Sequence, residues 1–179
     1  MTVDDLPAVP DPDDKDWTWV LDRPCPECGF TTSAVDRHRI ADRLLAATPR
    51  WRTALSAADA ATRPAPTIWS IVEYGCHTRD VHTTFGRRGR LIQEQQDPVF
   101  ANWNQDETAL EKRYWEADPA DVAREIEREA VSAAGVFSGL SDAQWARVGR
   151  RSNGSVFTME TLGLYYLHDI EHHLHDVER

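Results

Sequence analysis

Residues 166–176 read Tyr-Leu-His-Asp-Ile-Glu-His-His-Leu-His-Asp and hold four of the seven histidines in a chain of 179 residues. Upstream, Leu162, Leu164, Tyr165, Leu167 and Ile170 recur at helical spacing behind Thr158, a residue able to cap a helix. The run therefore reads as the polar end of a last helix. On that helix His168 and His172 share one face, with Cβ atoms about 6 Å apart, so both imidazoles can reach one ion at about 2.0–2.1 Å. His175 lies on the same stripe. His173 is roughly 100° round the axis and shares its stripe with Asp169 and Asp176.

Two imidazoles make a weak site, and the rest of the chain must supply a third ligand. His77 sits in Ile-Val-Glu-Tyr-Gly-Cys-His-Thr-Arg-Asp-Val-His, residues 71–82, inside a second helical pattern. Where helices face each other in an antiparallel bundle, side chains from both converge in the core. His77, His168 and His172 then form a three-nitrogen set with coordination positions left open, as a catalytic metal requires. The competing reading makes His77 a satisfied core residue and the C-terminal cluster a solvated end whose cations suit a helix C-terminus. His38 and His82 read as surface residues.

Working outward, the patterning supports an all-α, antiparallel four-helix bundle. A first helix runs from about Ala34 to Leu55 behind Ser33, and Thr62-Arg-Pro-Ala-Pro-Thr67 breaks it. A second runs from about Thr67 or Ile68 to Gln95. Residues 97–119 form a long crossover between helices 2 and 3 that covers one end of the bundle. Its Phe100-Ala-Asn102-Trp103-Asn104 stretch either borders the pocket or serves as an aromatic-anchored surface loop. Asp118-Pro119 opens the third helix, which closes near Gly139. Ser141 to Gln144 has the capping-box pattern, and Asn153-Gly154 is a turn that can join a small hairpin between Val148 and Phe157. Residues 1–32 read as an extended segment, and residues 33–179 as the bundle domain.

Composition narrows the function. Thirty acidic against twenty basic side chains give a formal charge of −10, which repels phosphate backbones and argues against nucleic-acid binding. Arg87-Arg88-Gly-Arg90 and Arg147 with Arg150-Arg151 read as solvated surface, with local anion binding as the alternative. No apolar run is long enough for a membrane span, and the acidic, Pro-rich start is the opposite of a signal peptide, as expected of a cytoplasmic protein. The three cysteines form no disulfide framework. Cys25-Pro-Glu-Cys28-Gly29 is half of a zinc-ribbon signature, and Cys76 leaves a Cys-only site one ligand short. The pair reads as a tight turn with Gly29 supplying a permissive backbone, as a thiol-handling pair, or as metal ligands shared across a dimer.

The combination of Pro66-Thr-Ile-Trp69-Ser70-Ile-Val-Glu73-Tyr-Gly-Cys-His77 with a late helix bearing His168-Asp-Ile-Glu-His172-His173 resembles the DinB/YfiT-like superfamily, over residues 34 to 178. The resemblance implies a four-helix bundle holding zinc or nickel through His77, His168 and His172. It also implies a transferase or isomerase that activates a low-molecular-weight thiol of the mycothiol or bacillithiol type, acting on a small-molecule substrate, often as a homodimer. Asp80 and Glu171 are candidates to orient the ligating imidazoles. A metal-activated water, giving hydrolysis, and a non-catalytic metal- or small-molecule-binding bundle are the alternatives. In place of the usual Arg-Gly-Gln-like run after the last ligand, this chain has His173-Leu-His175-Asp176. A register using His173 loses His168 as its partner and recruits Asp169, and His175 is a further alternative ligand. The Cys25–Cys28 segment lies outside the superfamily's common core and inherits no role from it.

Overall fold

The computed structural model describes residue 10 and residues 16–178; most of the acidic lead-in expected at the start lies outside the described residues. Among the described residues the chain is mostly helical, with four long helices, α1 (Ile40–Leu55), α2 (Ile71–Glu94), α4 (Pro119–Ala134) and α6 (Met159–Val177), and two short ones, α3 (Gln105–Glu111) and α5 (Asp142–Trp145). α1 and α2 each pack against both α4 and α6. The shared core holds Leu44, Trp51, Val72, Val81, Phe85, Val122, Ile126, Phe137, Leu162, Tyr166 and Leu167. No helix among the described residues is long and apolar enough to cross a membrane.

Local chemistry sets the helix starts. Ser70 and Glu73 form a reciprocal capping box, so α2 begins at Ile71 and not at Thr67. The Glu73 carboxylate is buried, held by the Ser70 amide at 2.9 Å and by the fork of Arg63. Asp118 accepts from the Ala120 and Asp121 amides ahead of Pro119, and Ser141 and Thr158 cap α5 and α6. α1 begins later than its pattern suggests, at Ile40, because Asp36 accepts from the His38 amide and turns residues 37–39 into a single 3₁₀ turn. Pro49 lies inside α1 and cannot donate to the Leu45 carbonyl; the Thr48 hydroxyl does so instead at 2.9 Å, and the helix continues.

The crossover is more structured than a loop. Its β1 (Val99–Phe100) runs parallel to β2 (Val148–Arg151), which pairs antiparallel with β3 (Val156–Thr158) across the Asn153-Gly154 turn, giving a three-stranded sheet in an otherwise helical fold. The basic clusters read as solvated surface are largely engaged in this region. Arg88 is buried, donates to the Ala101 carbonyl at 3.0 Å and lies over Phe85 and Phe100. Arg147 donates to the Ile92 and Gln95 carbonyls, both at 2.6 Å. Arginine's five donors, set in a fixed fork, let it dock the end of α2 onto a sheet that the apolar pattern alone did not indicate.

Candidate metal centre

Residues 168 and 169 of α6 point about 100° apart, and each begins an i, i+4 pair of metal-ligating side chains. One stripe carries His168 and His172; the next carries Asp169 and His173. The two stripes face different partners, and the structure divides the histidines accordingly.

The Asp169–His173 stripe faces α2. His77 Nε2 lies 3.2 Å from Asp169 Oδ1, and His173 Nε2 lies 3.8 Å from the same oxygen. The ligand atoms of His77, Asp169 and His173 all fall within 4.8 Å of one another. Nitrogen and oxygen ligands about 2.0–2.2 Å from a tetrahedral ion stand roughly 3.3 Å apart, so the donor set fits a divalent cation with little movement. His77 is fully buried, with Trp103 stacked parallel to its ring at 5.4 Å and Trp69 at 5.6 Å. Burial alone would raise the Asp169 carboxyl, yet the hydrogen bond and charge of His77, with His173 and His168 beyond, hold it at about 2. It is thus anionic throughout the physiological range. His173 Nδ1 lies 3.1 Å from Asp176 Oδ2, a carboxylate able to orient a ligating imidazole.

The other stripe faces the N-terminal segment. His168, His172, Cys25 and Cys28 form a second group whose ligand atoms lie within 4.8 Å of one another. Trp17, in the 3₁₀ turn Trp17–Leu21, covers both imidazoles at 5.7 and 5.0 Å, and Phe30 meets His168 edge-on at 5.3 Å. Burial pushes the His168 imidazole down to about 4 and lowers His172 as well, so both are neutral near pH 7.

Between these elements opens a cleft of about 480 Å³, lined by Trp17, Asn102, Trp103, Asp106, Arg151, Tyr165 and, from α6, His168, Asp169, His172 and His173. The Asn102-Trp103-Asn104 stretch thus borders the pocket, while Phe100 is buried under the sheet. Asn104 fixes this wall by accepting from the Asp106 and Glu107 amides at the start of α3.

His77, His168 and His172, expected together from spacing, do not form one group among the described residues. Asp80 and Glu171, proposed to orient them, are engaged elsewhere. Asp80 accepts from Arg79 at 3.0 Å, Lys112 at 2.9 Å and the Tyr114 hydroxyl, tying α2 to the crossover. Glu171 takes a two-point fork from Arg43 at 2.9 and 2.6 Å, tying α6 to α1. His175 borders a separate cavity with Cys28, Arg43 and Arg50. His38 is exposed, as read. His82 is not a surface residue: it is fully buried and its Nδ1 bonds the Tyr166 hydroxyl, because residue 82 of α2 faces α6. Asp176 and Trp17 had no role in the sequence reading. The His173-x-x-Asp176 spacing was a usable signal for Asp176, whereas Trp17 is brought to α6 by the chain path alone.

The sequence profile of the DinB superfamily matches residues 39–177. Among solved structures, YfiT from Bacillus subtilis, described as a probable metal-dependent hydrolase with an unusual four-helix bundle topology, is similar to this chain. It superposes with a TM-score of 0.69 at 19% identity, covering 79% of this chain and 84% of that one. No curated protein matches. A profile spanning all four long helices and both halves of the candidate centre shows the family: the chain belongs to the DinB superfamily.

Proposed function

We propose that this protein is a metal-dependent enzyme whose catalytic cation is held by His77, Asp169 and His173, and whose small-molecule substrate enters the cleft between α6, the Asn102–Asp106 wall and Trp17. The observation that carries the reading is the convergence of two imidazoles and one carboxylate, from two helices, beside that cleft. Two histidines and a carboxylate leave coordination positions for a reactant, the pattern of catalytic and not structural zinc; zinc is the first choice and nickel the second. A bound cation supplies Lewis acidity and makes a coordinated water or thiol nucleophilic near neutral pH.

The chain's own residues do the rest. Trp103 stacks on His77 and Asp176 faces His173, which holds both rings in a ligating orientation. Arg151, on the cleft wall and largely buried over Phe157, offers a cation to an anionic group of the substrate. The Tyr165 hydroxyl, whose pKa burial pushes up to about 12, stays protonated and able to donate. Hydrolysis is the reading best supported, since Asp106 adds to the cleft a carboxylate outside the ligand set, able to accept a proton, and YfiT is described as a probable metal-dependent hydrolase. Transfer of a low-molecular-weight thiol, implied by the sequence resemblance, is the second reading. A cleft of about 480 Å³ has room for a cosubstrate of that class beside a small electrophile.

Elemental analysis of untagged protein, with ester, amide and thiol-transfer assays in parallel, tests the proposal. His77→Ala and Asp169→Asn should each lose one divalent ion per chain and at least a hundredfold in kcat/KM while the helical circular dichroism persists. Full metal content in both variants would overturn the ligand assignment. Metal bound at this site with no turnover in any assay would leave a binding protein and not an enzyme.

A further inference from the structure

We propose that Cys25, Cys28, His168 and His172 form a second metal site, a closed Cys2His2 centre suited to zinc, which joins the N-terminal segment to α6. The site shares no ligand with the His77 centre and has a different chemistry.

Four observations carry it. Cys25 Sγ lies 3.8 Å from His172 Nδ1, against roughly 3.6 Å for a sulfur and a nitrogen across a tetrahedral zinc. His168 is buried and its Nε2 has no hydrogen-bond partner among the described residues, an arrangement that costs free energy unless something else satisfies the nitrogen. The Cys25–Phe30 backbone is wound into a tight knuckle: the Gly29 amide donates to the Cys25 carbonyl at 2.9 Å and the Cys25 amide to the Phe30 carbonyl at 2.8 Å. Gly29 makes this possible with φ +75°, a left-handed conformation; space around it is open, so the backbone and not crowding asks for glycine. Finally, His172 Nε2, the nitrogen turned away from Cys25, lies 3.6 Å from both Glu27 and Asp176 carboxylates, the outer contact that ligating histidines usually make.

The spacing is Cys-x2-Cys with His-x3-His, a complete four-ligand set within one chain. No position is left for a reactant, so the role is structural. Binding exchanges two thiol protons for one dication: two Zn–S bonds form, two protons go to solvent, and the ion's charge is cancelled by the two thiolates. The consequence is architectural. Trp17, which packs on both histidines, also lines the catalytic cleft, so this centre holds one wall of the other.

The test uses full-length protein stripped with a chelator and titrated with cobalt(II). One equivalent should develop a sulfur-to-cobalt charge-transfer band with the strong visible bands of tetrahedral cobalt. These should vanish in Cys25→Ser and persist in His77→Ala, which separates failure of this site from failure of the catalytic one. Absence of the sulfur band in the wild type, or its persistence in Cys25→Ser, overturns the proposal. Should Cys25→Ser fail to fold, the wild type still decides: an organomercurial should release one zinc per chain as Cys25 and Cys28 react. Release of none, or recovery of a Cys25–Cys28 disulfide from zinc-free native protein, overturns it.

Discussion

Asp169 Oδ1 is approached by two imidazole nitrogens, His77 Nε2 at 3.2 Å and His173 Nε2 at 3.8 Å, whereas the neighbouring residue His168 turns its ring under Trp17 and Phe30. On the proposed assignments one position along α6 separates the two sites, and adjacent histidines should give opposite phenotypes. His173→Ala should lose the catalytic ion and keep the cysteine-ligated one; His172→Ala should do the reverse, as read by metal content together with the cobalt spectrum. Asp176→Asn keeps every direct ligand but removes the carboxylate beside His173 Nδ1. Affinity at the His77 site should fall roughly 10- to 100-fold in chelator competition. His82 makes a separate prediction. Burial lowers its pKa to about 3, against 6.5 when unfolded, with the Asp169 charge opposing only in part. Between those values the unfolded chain binds the extra proton, so stability is full above about pH 6.5 and falls as the pH drops. At 1.36 kcal/mol per unit, about 2 kcal/mol is lost by pH 5. Urea unfolding at pH 5 and 7 should show this difference shrinking in His82→Asn, whose side-chain oxygen can still accept from Tyr166.

At the scale of elements, the long helices are set by caps and the site by what lies between them. Ser70–Glu73 starts α2 six residues before His77 and thereby sets the face on which His77 emerges. The crossover then brings Trp103 against that imidazole, held by a bond from its indole N–H to Thr108 at 2.8 Å. The small sheet supports the crossover through a close contact: a Cβ added at Gly149 in β2 would come within 2.6 Å of Ile92 and 3.0 Å of Phe100. Gly149→Ala should therefore cost about 1–3 kcal/mol in denaturant unfolding, since both neighbours are buried and cannot move aside freely. Helix positions were legible in the sequence because Asp118-Pro119, Ser141–Gln144 and Thr158 are strong local signals. The starts of α1 and α2 were less so: Ser33 and Thr67 also suit a helix start, whereas Asp36 winds residues 37–39 into a 3₁₀ turn and Ser70 pairs with Glu73 in a capping box. The hairpin of β2 and β3 was legible through its Asn153-Gly154 turn, whereas β1 was not, because two residues are too few to show a period.

Across the whole molecule, α6 is the hub. One stripe meets α2 and the next meets the N-terminal segment, and the cleft opens where these three elements meet the crossover. Metal removal should therefore be felt globally. An ion present at about a hundred times its Kd contributes about 2.7 kcal/mol, which for a chain of this length corresponds to roughly 5–10 °C in Tm. Thermal melts with and without chelator should show a drop of that size, accompanied by new proteolytic cleavage between residues 22 and 30. An unchanged Tm would mean that neither centre holds an ion in solution.

The sequence by itself determined that the chain folds as a helical bundle, that its last helix is rich in side chains of metal-ligating type, and that His77 lies inside the second helix. All three follow from local rules: periodicity, caps and i, i+4 spacing. It also contained Cys-x2-Cys and His-x3-His, the two halves of the proposed four-ligand set, but as separate motifs about 140 residues apart, with nothing local to say that they meet. Only the tertiary structure decided which stripe of α6 faces α2 and which faces the knuckle. The reason is rotational: a difference of one residue turns a helical side chain by about 100°, and the packing of α6 against α1 and α2, with Glu171 held by Arg43, sets that rotation.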